Sequence, residues 1–117
     1  APVVNEALAM TMLEAMIAAA SSDGHIDDAE MDTLMQAIDN AGLTAEENAR
    51  LTATLNNPPA VEAIAAKVRS EEEAAEIYGA AVSAIHVDTP AENFFLRRLA
   101  RALNLNPSLT GYLNAEA

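Results

Sequence analysis

Nine consecutive residues, Ser22-Asp23-Gly24-His25-Ile26-Asp27-Asp28-Ala29-Glu30, hold the densest set of oxygen ligands in the chain. Two chemistries fit them. The first is a hard-cation loop. When the twelve-residue calcium-loop pattern is laid on residues 19–30, Ser21 takes the third position, Asp23 the fifth, Gly24 the sharply turning sixth and Ile26 the apolar eighth. Glu30 takes the twelfth position, where a bidentate carboxylate belongs. The first position is Ala19 rather than Asp. Calcium wants six to eight oxygens with several carboxylates, so that loss weakens any site. The second chemistry is a helix start. Asp-Gly is strong turn chemistry, because glycine takes positive φ without a Cβ clash. Asp27 then stands three residues before Glu30, an Asp variant of the capping box that occupies free helix N–H groups.

Other residue sets carry less. His25 and His86 both lie at corners, where an imidazole adds to a metal site or titrates near pH ~6.5 in solvent. Ser21, Ser22, His25 and Asp27 are the residue types of a hydrolytic triad. They stand too close in sequence for its geometry, and no oxyanion loop accompanies them. No catalytic constellation is present, so the expectation is a protein that is not an enzyme. Arg97, Arg98 and Arg101 hold half of the basic charge. Arg97 and Arg101 share a helix face, where they are expected to neutralise acids such as those of residues 71–76 or to receive an anionic partner. Met10, Met12, Met16, Met31 and Met35 fall in the first hairpin, as adaptable core or as a groove for a partner helix.

The elements that position these residues are helices. Residues 4–21 repeat apolar side chains on one face, with Ala9, Leu13, Met16, Ile17 and Ala20. After the Asp-Gly corner, a second helix buries Met31, Leu34, Met35, Ile38 and Ala41 and stops at Gly42. Thr44 and Glu47 cap a third, which turns Leu51 and Leu55 inward. Asn57-Pro58-Pro59 ends it and starts a short fourth with Val61, Ile64 and Val68. Ser70 and Glu73 cap a fifth over residues 71–85, apolar nearly all round and therefore expected at the centre around Tyr78. Gly79 and Ser83 lie four apart on it, which admits a close neighbour. Thr89-Pro90-Ala91-Glu92 opens a sixth helix with a Phe95, Leu99 and Leu103 stripe. Asn106-Pro107 starts a short seventh. No segment alternates like a strand, so the chain is all-α, a bundle of about seven helices in a single domain.

Composition bounds the partners. The 117 residues carry a formal charge of −12, with 18 acids against 6 bases. Clustered cations for phosphate are lacking, so nucleic acid and anionic membrane surfaces are not the expected partners. A divalent cation of the calcium type or a basic protein surface fits better. There is no cysteine, which removes disulfides and thiolate metal sites. The most apolar run, residues 8–20, contains Glu14 and is shorter than the ~20 residues a bilayer needs. Direct membrane insertion by this segment is therefore not expected. Bulk comes from aliphatic residues, with 27 alanines and 3% aromatics.

A shift of 62 residues aligns two loose repeats, placing Asp27-Asp28-Ala29-Glu30 on Thr89-Pro90-Ala91-Glu92 and Leu34 on Leu96. Each repeat is an apolar helix, an acidic corner and an amphipathic helix, so two pseudo-repeated hairpins are expected. Two hairpins with an Asp23-Gly24-His25-Ile26-Asp27-Asp28-Ala29-Glu30 corner resemble the TerB fold of tellurite-resistance proteins. The second corner, Ala84-Ile85-His86-Val87-Asp88-Thr89-Pro90-Ala91-Glu92, resembles more closely the TerB-related, YebE-like inner-membrane proteins of unknown function. The resemblance implies a divalent-cation site at the acidic corners. Its candidate ligands are Asp23, Asp27 and Glu30, with Asp88 and Glu92 in the second corner. That second site departs from the pattern, because Ile85-His86 stands where Asp-Gly would.

The YebE-like branch also implies an apolar or glycine-rich part before Ala1. The 117 residues are thus expected to be the C-terminal part of a longer chain, a soluble domain on the cytoplasmic side tethered to the inner membrane by that part. Two functions follow as expectations. One is a non-enzymatic, cation-responsive module in an envelope or metal-stress setting. The other is a tethered protein–protein interaction module with no metal role and an unidentified protein partner.

Overall fold

The computed structural model describes residues 6–24, 26–85 and 90–105. Over these the chain forms six helices: α1 (Glu6–Ala20), α2 (Asp28–Ala41), α3 (Ala45–Asn56), α4 (Val61–Ala65), α5 (Glu71–Ser83) and α6 (Pro90–Ala102). No strand occurs among the described residues, and the all-α expectation holds. The seventh helix expected from Asn106-Pro107 lies outside them.

Local chemistry sets most helix ends. Thr44 Oγ1 accepts the Glu47 N–H at 3.1 Å, and Glu47 returns a carboxylate oxygen to the Thr44 N–H at 2.9 Å. Ser70 makes only half of its expected box. Its hydroxyl accepts the Glu73 N–H at 3.1 Å, but Glu73 accepts the N–H of Arg69 instead, at 2.9 Å. Gly42 ends α2 with φ of 63°, in the left-handed region that favours glycine. The residues of Pro58, Pro59 and Ala60 are not helical, so α4 begins at Val61 rather than at the prolines. The end of α6 had no glycine to announce it. Asn104 takes φ of 59°, its N–H reaches the Arg101 carbonyl and that of Leu105 reaches Ala100, which together form a Schellman motif.

Packing centres on α1, not on α5. Helix α1 lies against each of the other five helices, whereas α5 packs chiefly on α1 and also on α6. Ala15, Ala18, Ala19 and Ala20 are buried together with Leu13, Met16 and Ile17, so α1 is enclosed on several sides. Tyr78 and Ile77 on α5 are buried against it, and α1 and α5 share the largest helix–helix contact. The two hairpins, α1–α2 and α5–α6, thus meet through their first helices. Residues 62 apart share burial: Ala15 with Ile77, Met16 with Tyr78, Ala19 with Ala81, and Leu34 with Leu96. Among the described residues, Gly79 has no neighbour that an added methyl would touch, so none of them uses the close approach that Gly79 admits.

Candidate functional site

The first corner forms where α1 runs out. Helix α1 extends to Ala20, so the opening positions of the twelve-residue cation pattern are helix rather than loop. Ser21 N–H bonds back to Ile17, Ser22 N–H to Ala19, and Gly24 N–H to Ser21, at 3.0, 3.2 and 3.0 Å. The Ser22 hydroxyl is donated to the Ala19 carbonyl at 2.7 Å. Gly24 turns the chain with φ of 100°. Asp23 is half-buried in that turn, and His25 lies outside the described residues.

Asp27 and Glu30 hold one another. The Asp27 Oδ1 atom accepts the Glu30 N–H at 2.7 Å, and Glu30 Oε1 accepts the Asp27 N–H at 3.2 Å. This is the reciprocal capping box, and two otherwise orphaned N–H groups are satisfied by it. Glu30 is only 2% exposed, so its carboxylate sits under the corner rather than in front of it. Among the described residues, no three His, Asp or Glu side chains converge as metal ligands. As arranged, the Asp27 and Glu30 carboxylates serve the start of α2. In the second corner, Glu92 is 1% exposed, matching Glu30, while Asp88, with His86, lies outside the described residues.

Two features escaped sequence reasoning. One is an open hollow of about 330 Å³ between the C-terminal end of α1, the Pro58–Pro59 stretch and α6, walled by Pro59, Val61, Phe94, Phe95 and Arg98. Phe94 is 61% exposed at its edge, and the Arg98 guanidinium lies 6.0 Å from the Phe94 ring centre. The sequence signal was present: Phe94 falls on the same α6 face as the arginines, away from the Leu96 and Leu99 stripe. The other is a groove of about 560 Å³ between α1, α3 and the α4–α5 loop. Glu14, Glu47 and Glu73 face Arg50, Lys67 and Arg69 across it, a balanced lining that favours neither sign. Lys67 Nζ closes one side of it on Glu14 at 2.7 Å.

The arginines of α6 do not meet the acids of α5 as expected. Arg98 pairs loosely with Glu62 of α4, at 3.6 Å, and both side chains are largely in solvent. Among the described residues, Arg97 and Arg101 enter no ion pair. No described helix is long and apolar enough to cross a membrane.

The chain belongs to the family described as "Protein of unknown function (DUF533)", whose model matches residues 1–117. It is similar to the "Uncharacterized protein in ampR 5'region" of Yersinia enterocolitica, with 29% identity over 94 residues, 80% of this chain and 68% of that protein. No solved structure matches.

Proposed function

We propose that this domain is a non-enzymatic, acidic helical module that works by binding a protein surface. The observation that carries the reading is the apolar hollow with Phe94 61% exposed at its edge, beside arginines on a chain of net charge −12. Large exposed aromatics flanked by arginine are the side chains that contribute most at protein interfaces. The TerB-like and YebE-like resemblance supplies the setting: a bacterial envelope or metal-stress system, with the domain on the cytoplasmic side and tethered to the inner membrane by a segment outside these residues. The cation-responsive reading is the alternative, and it rests on that resemblance together with Asp23, Asp27 and Glu30 at one corner.

Calcium and zinc titrations by calorimetry, with melting curves in chelator and in excess metal, separate the two readings. The interaction reading expects no heat and no thermal shift at millimolar metal. A bound ion at a hundred times its dissociation constant would add about 2.7 kcal/mol, a shift easily seen in a domain of this size. Stabilisation by calcium that disappears in Glu30→Gln would establish the cation reading in its place.

A further inference from the structure

We propose that the protein surface bound by this domain is a second copy of the same chain, the outer face of α2 on one copy docking on the outer face of α6 on the other. The proposal rests on the interaction reading above and names its partner. The outer face of α2 exposes Asp28, Asp32, Met35 and Asp39, and that of α6 exposes Phe94, Arg97, Arg98 and Arg101. Three carboxylates thus stand on one face and three guanidinium groups on the other. The large exposed apolar side chains among the described residues are Met35, 45% exposed, and Phe94, 61% exposed, one on each face.

The two faces also match in geometry. A shift of 62 residues places Asp32 on Phe94, Met35 on Arg97 and Asp39 on Arg101, so they are equivalent faces of the two hairpins. From Asp32 to Asp39 on α2 and from Phe94 to Arg101 on α6 the matched stretches each run about 10 Å, seven residues at ~1.5 Å per residue. The hollow beside Phe94 is open to an unbranched thioether such as Met35, whose flexibility suits an irregular wall. Arg97 and Arg101 enter no ion pair among the described residues, so a facing carboxylate row gives them partners they do not have within the chain. An acidic peptide from another protein would cover α6 and leave the Met35 face open, and a basic peptide would do the reverse. A second copy covers both. Because the two faces differ, the contact is heterologous: it closes into a ring or extends as a chain.

Charge makes the association depend on salt in an uncommon direction. Two molecules of charge −12 repel over the Debye length, about 30 Å at 0.01 M and about 8 Å at physiological ionic strength. The Asp–Arg pairs in contact are screened much less. Association should therefore strengthen from low to physiological salt.

The test is sedimentation equilibrium of the chain across micromolar to millimolar concentration at both salt levels. Two double variants accompany it: Arg97→Glu with Arg101→Glu, and Asp32→Arg with Asp39→Arg. All four positions are exposed, so each variant should keep the helical circular dichroism of the parent. The expected result is self-association of the parent, at least tenfold weaker in each variant alone and restored on mixing the two, since each then offers the other complementary faces. A parent that stays monomeric up to about 1 mM overturns the proposal, as does a mixture that fails to re-associate. Either outcome leaves the metal titrations, and so the interaction reading itself, to be judged separately.

Discussion

In the capping box Glu30 accepts the Asp27 N–H through one carboxylate oxygen, Oε1, at 3.2 Å. A glutamine carbonyl at the same place accepts that bond as well. Glu30→Gln should therefore cost on the order of a few tenths of a kcal/mol in urea unfolding, and Asp27→Ala, which removes the other half of the box, about 1 kcal/mol. A loss several times larger for the glutamine variant would mean that the charge of Glu30 meets something the cap does not supply. Gly79 gives the opposite sign. It lies within α5 with open space where a Cβ would go, so nothing among the described residues around it requires glycine. Gly79→Ala should stabilise the domain by about 0.5–1 kcal/mol through the unfolded chain. A destabilising outcome would show that a neighbour does approach α5 at this point.

At the scale of the helix, legibility followed side-chain size. The stripes of α2 and α6 were readable because Leu34, Leu96 and Leu99 are large and recur at helical spacing among polar residues. The caps at Asp27 and Thr44 were readable because they are local, each completed within four residues. The role of α1 was not readable in the same way. Alanine suits either an exposed or an enclosed helix surface, so Ala15, Ala18 and Ala19 gave no sign that α1 is enclosed on several sides and stands at the hub instead of α5. The half-box at Ser70 was missed because Glu73 can reach either of two adjacent N–H groups, and sequence spacing cannot choose between them. The candidate site divided along the same line. The corner was legible as a set of residues and as a capping box, but that the opening positions of the cation pattern are helical depends on where α1 stops, which no motif states. The small residues of α1 now carry a prediction. Ala19 has no exposed surface, and Ala19→Leu would drive three extra carbons between α1 and its neighbours, costing about 1–3 kcal/mol by thermal or urea unfolding. A neutral result would mean the alanine face is loosely packed.

Across the whole molecule, charge and core are distributed differently. The 18 acids are spread over the chain, while half of the bases stand on one stretch of α6, so the positive surface is local even though the net charge is −12. That distribution lets an acidic protein offer a basic contact without being basic overall. The core, by contrast, is shared between the two hairpins, because α1 and α5 bury their apolar surfaces chiefly against each other. Between the hairpins, Asn57 and Pro58 are exposed and lie outside any helix. A chain cut there loses little but its continuity. Fragments 1–57 and 58–117 should each be poorly ordered alone, since each leaves one central helix bare. Mixed, they should regain the helical signal and a single cooperative melt, and a fragment that melts cooperatively by itself would show that its hairpin carries a sufficient core of its own. The fold can thus serve as a two-piece reporter, in which reassembly of the halves announces that whatever they are fused to has met.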